Sequence, residues 1–235
     1  MDYRITKEIL KKIYMKNRVT LEVLIWIVIL APFIYVISFW NEIPLEVAIH
    51  FDISGQPNGY ANKKQALLIF IILNLVVHIT MLSTQSLSSK KLLINNFNFN
   101  KLRLLVSIFL SFVTAIIFIS AVNKNFNGLI ISSIAIGICL LISGLGNYMY
   151  SIKPNYYFGI RTPWTLNNET VWRKTHQWAS KVSFWSGLFC AVLILFTPEK
   201  YKFLVITTFS IILSIVSYVY SYIIFKKEKH TSNLS

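Results

Sequence analysis

The sequence predicts an all-α membrane protein, a polytopic bundle of six transmembrane helices with both termini cytoplasmic. Three observations lead there. The 235 residues are 55% hydrophobic with a mean hydropathy of +0.58, more apolar surface than one soluble core of this size hides. The apolar residues fall into six continuous runs, each near the roughly 17–25 residues that a helix needs to cross a ~30 Å hydrocarbon core. The charge is one-sided: 18 of the 23 Lys and Arg lie at the two chain ends and in the second and fourth connections. Basic loops stay in the cytoplasm, which orients the bundle. The runs are continuous rather than alternating, which argues against a β-barrel.

Residues 1–18 read as a basic amphipathic cytoplasmic segment. Ile5, Ile9 and Ile13 recur every fourth residue, with Lys and Arg on the other face, a pattern suited to lying among headgroups. The first two spans and their connection occupy residues 19–84. The first run, 19–40, is too long for the apolar part of a signal peptide, and no small-residue cleavage site follows it. Glu22 sits near its cytoplasmic end, where a Lys or Arg could pair with it. The external loop, 41–65, contains Pro44, His50, Phe51, Asp52 and Gly55. Val47, Ile49 and Phe51 alternate as in a short extended piece, and the turn formers at 54–59 require the chain to reverse. His50 and Asp52 form an H-x-D pair, too few ligands for a metal site. Hydrogen bonding within an ordered loop is the expectation for them.

The second run, 66–84, carries Asn74 and His78 on one helical face. Intramembrane polar groups face the bundle interior and find partners on other helices. Residues 95–101 read as a polar connector. A four-span region follows over 104–225, with runs at 104–122, 129–150, 179–196 and 203–225, and a cytoplasmic tail at 226–235. Ser133 with Gly137, and Ser183 with Gly187, repeat the small-residue spacing that lets helices approach closely. Spans 4 and 5 are therefore expected to pack together. Cys139 and Cys190 fall inside spans and read as buried packing residues.

Residues 151–178 break the pattern. Pro154 and Pro163 push the residues before them out of helical geometry, and Gly159 permits a turn. A bent, non-helical excursion over 153–166 is expected, with a helix restarting at Asn167 or Asn168, where Glu169 suits the positive N-terminal end. Trp172 and His176 then share a face with Ala179. Tyr156, Tyr157, Trp164, Trp172 and Trp178 are amphipathic rings suited to the interface. Arg161 can bind phosphate headgroups or helix-end carbonyls through its planar fork. No catalytic set is visible. There is no nucleophile with a base at readable spacing, no carboxylate pair and no H-E-x-x-H, so no enzyme, cofactor or metal is expected. The dispersed basic residues suit anionic lipid headgroups rather than nucleic acid.

The stretch "GNYMYSIKPNYYFGIRTPWTLNNETVWRKTH" closely resembles the signature of the SdpI-like family of bacterial immunity proteins. Its positions here include Asn147, Pro154, Asn155, Phe158, Gly159, Arg161, Thr162, Pro163, Trp164, Trp172 and His176. The external loop resembles the I-P-x-H-F-x-x-x-G-x-P domain that often precedes it, with five residues between Pro44 and His50 where the pattern has one or two. The resemblance implies a multi-pass protein of the bacterial cell membrane that protects its host from a secreted hydrophobic peptide toxin. It also implies toxin sensing and capture of a cytoplasmic repressor at the membrane. A homo-oligomer is compatible with it. The rival readings are a transporter exporting toxin or lipid, for which Asn74 and His78 hint at a polar path, and a membrane-embedded peptidase.

Overall fold

The computed structural model describes residues 3–88, 96–123, 129–155 and 158–232. In chain order the elements are α1 (Tyr3–Ser38), β1 (Glu46–Phe51), β2 (Pro57–Asn62), α2 (Lys63–Ser88), α3 (Asn96–Val122), α4 (Ile130–Met149), α5 (Pro163–Asn167), α6 (Glu169–Phe196) and α7 (Glu199–Ser232). All the helices but α5 are long and apolar enough to cross a membrane, which gives six candidate spans. Were all six to cross, both chain ends, the α2–α3 connection and the α4–α6 connection would share one side, with the β1–β2 hairpin on the other. The predicted runs are the cores of longer helices. α1 continues from Tyr3 through the basic segment into the first span without a break.

The hairpin stands where the alternating pattern and the turn formers lie. Its strands pair antiparallel, Glu46 with Asn62 and Val47 with Ala61, and the register shifts between Ala48 and Phe51. Asp52 closes the turn, because its Oδ1 accepts the N–H groups of Ser54 at 2.8 Å and Gln56 at 2.9 Å. Gly55 takes φ +82°, a conformation L side chains avoid, and a Cβ there would meet Ile131 of α4 at 2.7 Å. Val47 and Ile43 sink into an apolar core with Ile25, Ile29, Phe33 and Phe118. Lys63 Nζ ties the base of the hairpin by donating to the Trp40 carbonyl at 3.1 Å, beneath the Trp40 ring.

α4 and α6 make the most intimate helix pair. A Cβ on Gly146 would lie 2.8 Å from the Phe184 nitrogen, and one on Gly187 would lie 2.9 Å from the Cys139 carbonyl oxygen. Ser143 Oγ donates to the Phe184 carbonyl across this seam at 3.0 Å. Ser183 and Gly187 therefore do bring the fifth span onto the fourth. Gly137 faces α3 instead, with its bare Cα against Phe112. Cys139 and Cys190 are free and buried.

Two sequence expectations need correction. Residues 96–101 are the first turns of α3 rather than a connector, and Phe99 and Asn100 are buried. Residues 163–166 are helical. Thr162, extended at ψ 159°, caps the short α5, with Pro163 just inside its start, where the missing proline N–H costs nothing.

Candidate functional site

The segment between α4 and α6 is built by its own polar side chains. Asn155 Oδ1 accepts the Phe158 N–H at 2.7 Å, and its Nδ2 donates to the Lys153 carbonyl at 2.9 Å. That pins the turn after Pro154. Gly159 follows with φ +110°, and a Cβ there would strike His176 Nε2 at 2.3 Å. His176 fills the space the glycine leaves. Its Nδ1 donates to the Trp172 carbonyl at 2.8 Å, so its Nε2 is the acceptor for the Ile160 N–H at 2.9 Å. With both nitrogens engaged, this side chain is a brace between loop and helix rather than a base open to a substrate.

Thr162 and Thr165 form a reciprocal cap on α5, N–H to hydroxyl in both directions at 2.9 and 3.3 Å. Asn168 caps α6 by accepting the Val171 N–H at 3.0 Å. Trp172, expected among the interfacial rings, is fully buried instead. Its indole donates to the Ile152 carbonyl at 2.9 Å and its ring stacks on His176. Trp164 reaches the other way. It donates to Ser221 of α7 at 2.7 Å and packs among Tyr218, Tyr222 and Phe225. Trp178 stacks on Tyr220 of the same helix at 4.0 Å. Tyr156 and Tyr157 lie outside the described residues. Arg161 and Asn147 differ from their neighbours in the signature. Both are exposed, and neither side chain has a hydrogen bond among the described residues.

A second polar constellation lies inside the bundle near the same side. The Arg103 guanidinium is 1% exposed and grips Glu22 through two bonds, of 2.9 and 3.0 Å. It also donates to Asn100 Oδ1 at 3.2 Å and to His78 Nε2 at 3.3 Å, while Trp26 meets the His78 ring edge to face. Arg103 had counted among the loop charges of the second connection. It is in fact the buried partner of Glu22, 81 positions away in the chain. Higher in the bundle, Asn74 donates across to Thr114 Oγ1 at 3.2 Å. A sequence signal for this arrangement existed. Asn100, Arg103, Ser107, Ser111 and Thr114, all buried, recur at helical spacing along one face of α3.

On the hairpin side, His50 Nδ1 lies 2.5 Å from Asn58 Oδ1, and Asp52 is engaged in its turn. The described residues contain no cluster of three His, Cys, Asp or Glu able to hold a metal ion.

Two known families match separate parts of the chain. Residues 27–75, which hold most of the first two spans and the hairpin, match a domain of unknown function, DUF1648. Residues 151–221, which hold the braced loop, all of α6 and most of α7, match the SdpI/YfhL protein family. No solved structure matches. A curated relative, "Immunity protein SdpI" of Bacillus subtilis (strain 168), is 31% identical over 203 residues, covering 86% of this chain and 94% of the relative. Because that likeness covers 86% of this chain and 94% of the relative, this multi-pass bacterial membrane protein belongs to the SdpI/YfhL family.

Proposed function

We propose that this chain is an immunity protein of the cell membrane that protects a bacterium from a secreted hydrophobic peptide toxin. The observation that carries the reading is the 31% identity to an immunity protein over nearly the whole length of both chains. The activity is binding rather than catalysis and needs no cofactor. In the orientation that the basic residues favour, both chain ends and the braced loop face the cytoplasm, and the hairpin faces outward. The hairpin, around His50, Phe51 and Gly55, then stands where a toxin arrives.

The braced loop is the inward recognition surface. Asn155, Thr162, Thr165 and Asn168 are spent on the loop's own fold, and Arg161 is held out from that frame, free to pair with a carboxylate or phosphate on another molecule. In the fuller form of the proposal, toxin at the hairpin alters the bundle and the Arg161 surface captures a cytoplasmic repressor. The Glu22–His78–Arg103 cluster joins the first three helices beneath the hairpin and lies on the route between the two faces.

The test is survival of a sensitive host without its own immunity gene, challenged with a peptide toxin of the SDP type. The native chain should protect. Arg161→Ala, matched for membrane abundance, should lose repressor capture or protection. If the native chain fails to protect, the immunity reading is wrong. If Arg161→Ala leaves both readouts unchanged, the recognition role of the loop is wrong.

A further inference from the structure

α3 and α4 part along a crevice that opens sideways from the bundle. Its deeper stretch is a cavity of about 320 Å³ lined by apolar residues, including Phe109 and Phe112. Ile108 and Leu140 on its rim are about half exposed, at 48% and 49%, so in a bilayer it opens to the acyl chains. Toward the side of the chain ends it adjoins a second cavity of about 340 Å³, with Leu105 in both walls. This one is polar, lined by Lys101, Asn147, Tyr148 and Ser151. Beyond it lies a third cavity of about 290 Å³, again mostly apolar, which shares Leu102 and Tyr148 with the polar one. Phe158 and Ile160 of the braced loop, Ser183 of α6 and Leu213 of α7 also line it.

The shape is a polar, cationic mouth with an apolar arm on either side. The mouth carries one Lys, an amide and two hydroxyls, and no carboxylate lines it. Asn147 points to what is missing, because this signature residue is exposed and its side-chain amide makes no hydrogen bond among the described residues. A group rich in acceptors and negatively charged suits that mouth. The arms suit hydrocarbon. A helix about 10–12 Å across is too wide for arms of this size, and an extended peptide would bring amide groups into walls that offer them almost no partners. We propose that the crevice is a binding site for one anionic diacyl phospholipid. Its phosphodiester sits against Lys101 and Asn147, and one acyl chain lies in each arm. The chain in the second arm packs beneath Phe158 and Ile160, so the lipid supports the braced loop from below.

The experiment is native mass spectrometry of the full chain in detergent, with phosphatidylglycerol or phosphatidylcholine of identical acyl chains added. One phosphatidylglycerol should be retained per chain in preference to phosphatidylcholine. Lys101→Gln combined with Asn147→Leu should cut that preference about fivefold or more, the weight of one Lys at an anionic headgroup. Lys181→Gln removes an exposed charge outside the crevice and should leave the preference intact. Glycerophosphoglycerol, the headgroup without chains, should not displace the lipid. Equal retention of the two lipids would overturn the proposal, as would an equal effect of Lys181→Gln or displacement by the bare headgroup. A co-purified peptide found in place of lipid would also overturn it.

Discussion

Gly159→Ala is the sharpest perturbation this geometry offers. The new methyl carbon would stand 2.3 Å from His176 Nε2, inside any tolerable contact, at a residue whose φ is +110°. Holding an L residue at such a backbone angle costs about 1–3 kcal/mol. The imidazole must also leave, which breaks the 2.9 Å bond from the Ile160 N–H. A buried donor left without a partner costs a further ~1–3 kcal/mol. The sum, about 2–6 kcal/mol, lowers the melting temperature of a chain this long by roughly 4–24 °C on the scale of 2–4 °C per kcal/mol. Thermal unfolding of the detergent-solubilised protein, followed by size-exclusion chromatography, reads it directly. The argument also requires coupling. His176→Ala removes the ring the methyl strikes, so the double variant should lose less than the two single losses added together. Strict additivity, or an unchanged melting temperature in Gly159→Ala, would refute the claim that glycine is there to admit the imidazole.

Three further outcomes follow from the packing. Glu22→Ala leaves the Arg103 charge buried and unpaired, and should cost about 3–5 kcal/mol, while Glu22→Ala with Arg103→Met should recover much of that loss in thermal unfolding. Gly146→Ala forces the α4 and α6 backbones apart and should cost about 1–3 kcal/mol or more. Gly137→Ala meets side-chain ring edges, Phe112 at 3.0 Å and Phe109 at 3.4 Å, and should be nearly neutral in the same assay once the ~1 kcal/mol helix preference for Ala is counted. Trp164→Phe keeps the aromatic contacts with α7 but loses the bond to Ser221 and should cost ~1 kcal/mol, whereas Trp164→Ala should cost about 3–5 kcal/mol, compared by melting temperature.

The spans were plain in the sequence because each is a local property, a run of apolar residues long enough for a bilayer. The hairpin was half visible. Its turn formers and alternation are local, but the hold of Val47 on the core is not. The cap on α5 was readable as Thr162 followed by Pro163 and Thr165, yet a five-residue helix is too short to leave a periodic trace. Arg103 was the least legible. Beside an apolar run a charge reads as the loop's end, and only folding reveals that its partner is Glu22 on another helix. The brace between Gly159 and His176 is hidden for the same reason, since it joins residues that only the docking of loop on helix brings together.

The last helix shows a temporal side of this architecture. α7 buries 11% of its apolar stretch inside the bundle, against 39% for α6. Its firmest grips, Ser221 on Trp164 and Tyr220 on Trp178, reach elements that precede it in the chain. Those indoles are in position only once α4, α5 and α6 have assembled. Biogenesis therefore has a natural order, in which α7, synthesised after its docking platform, waits in the lipid until that platform is assembled and then closes onto it.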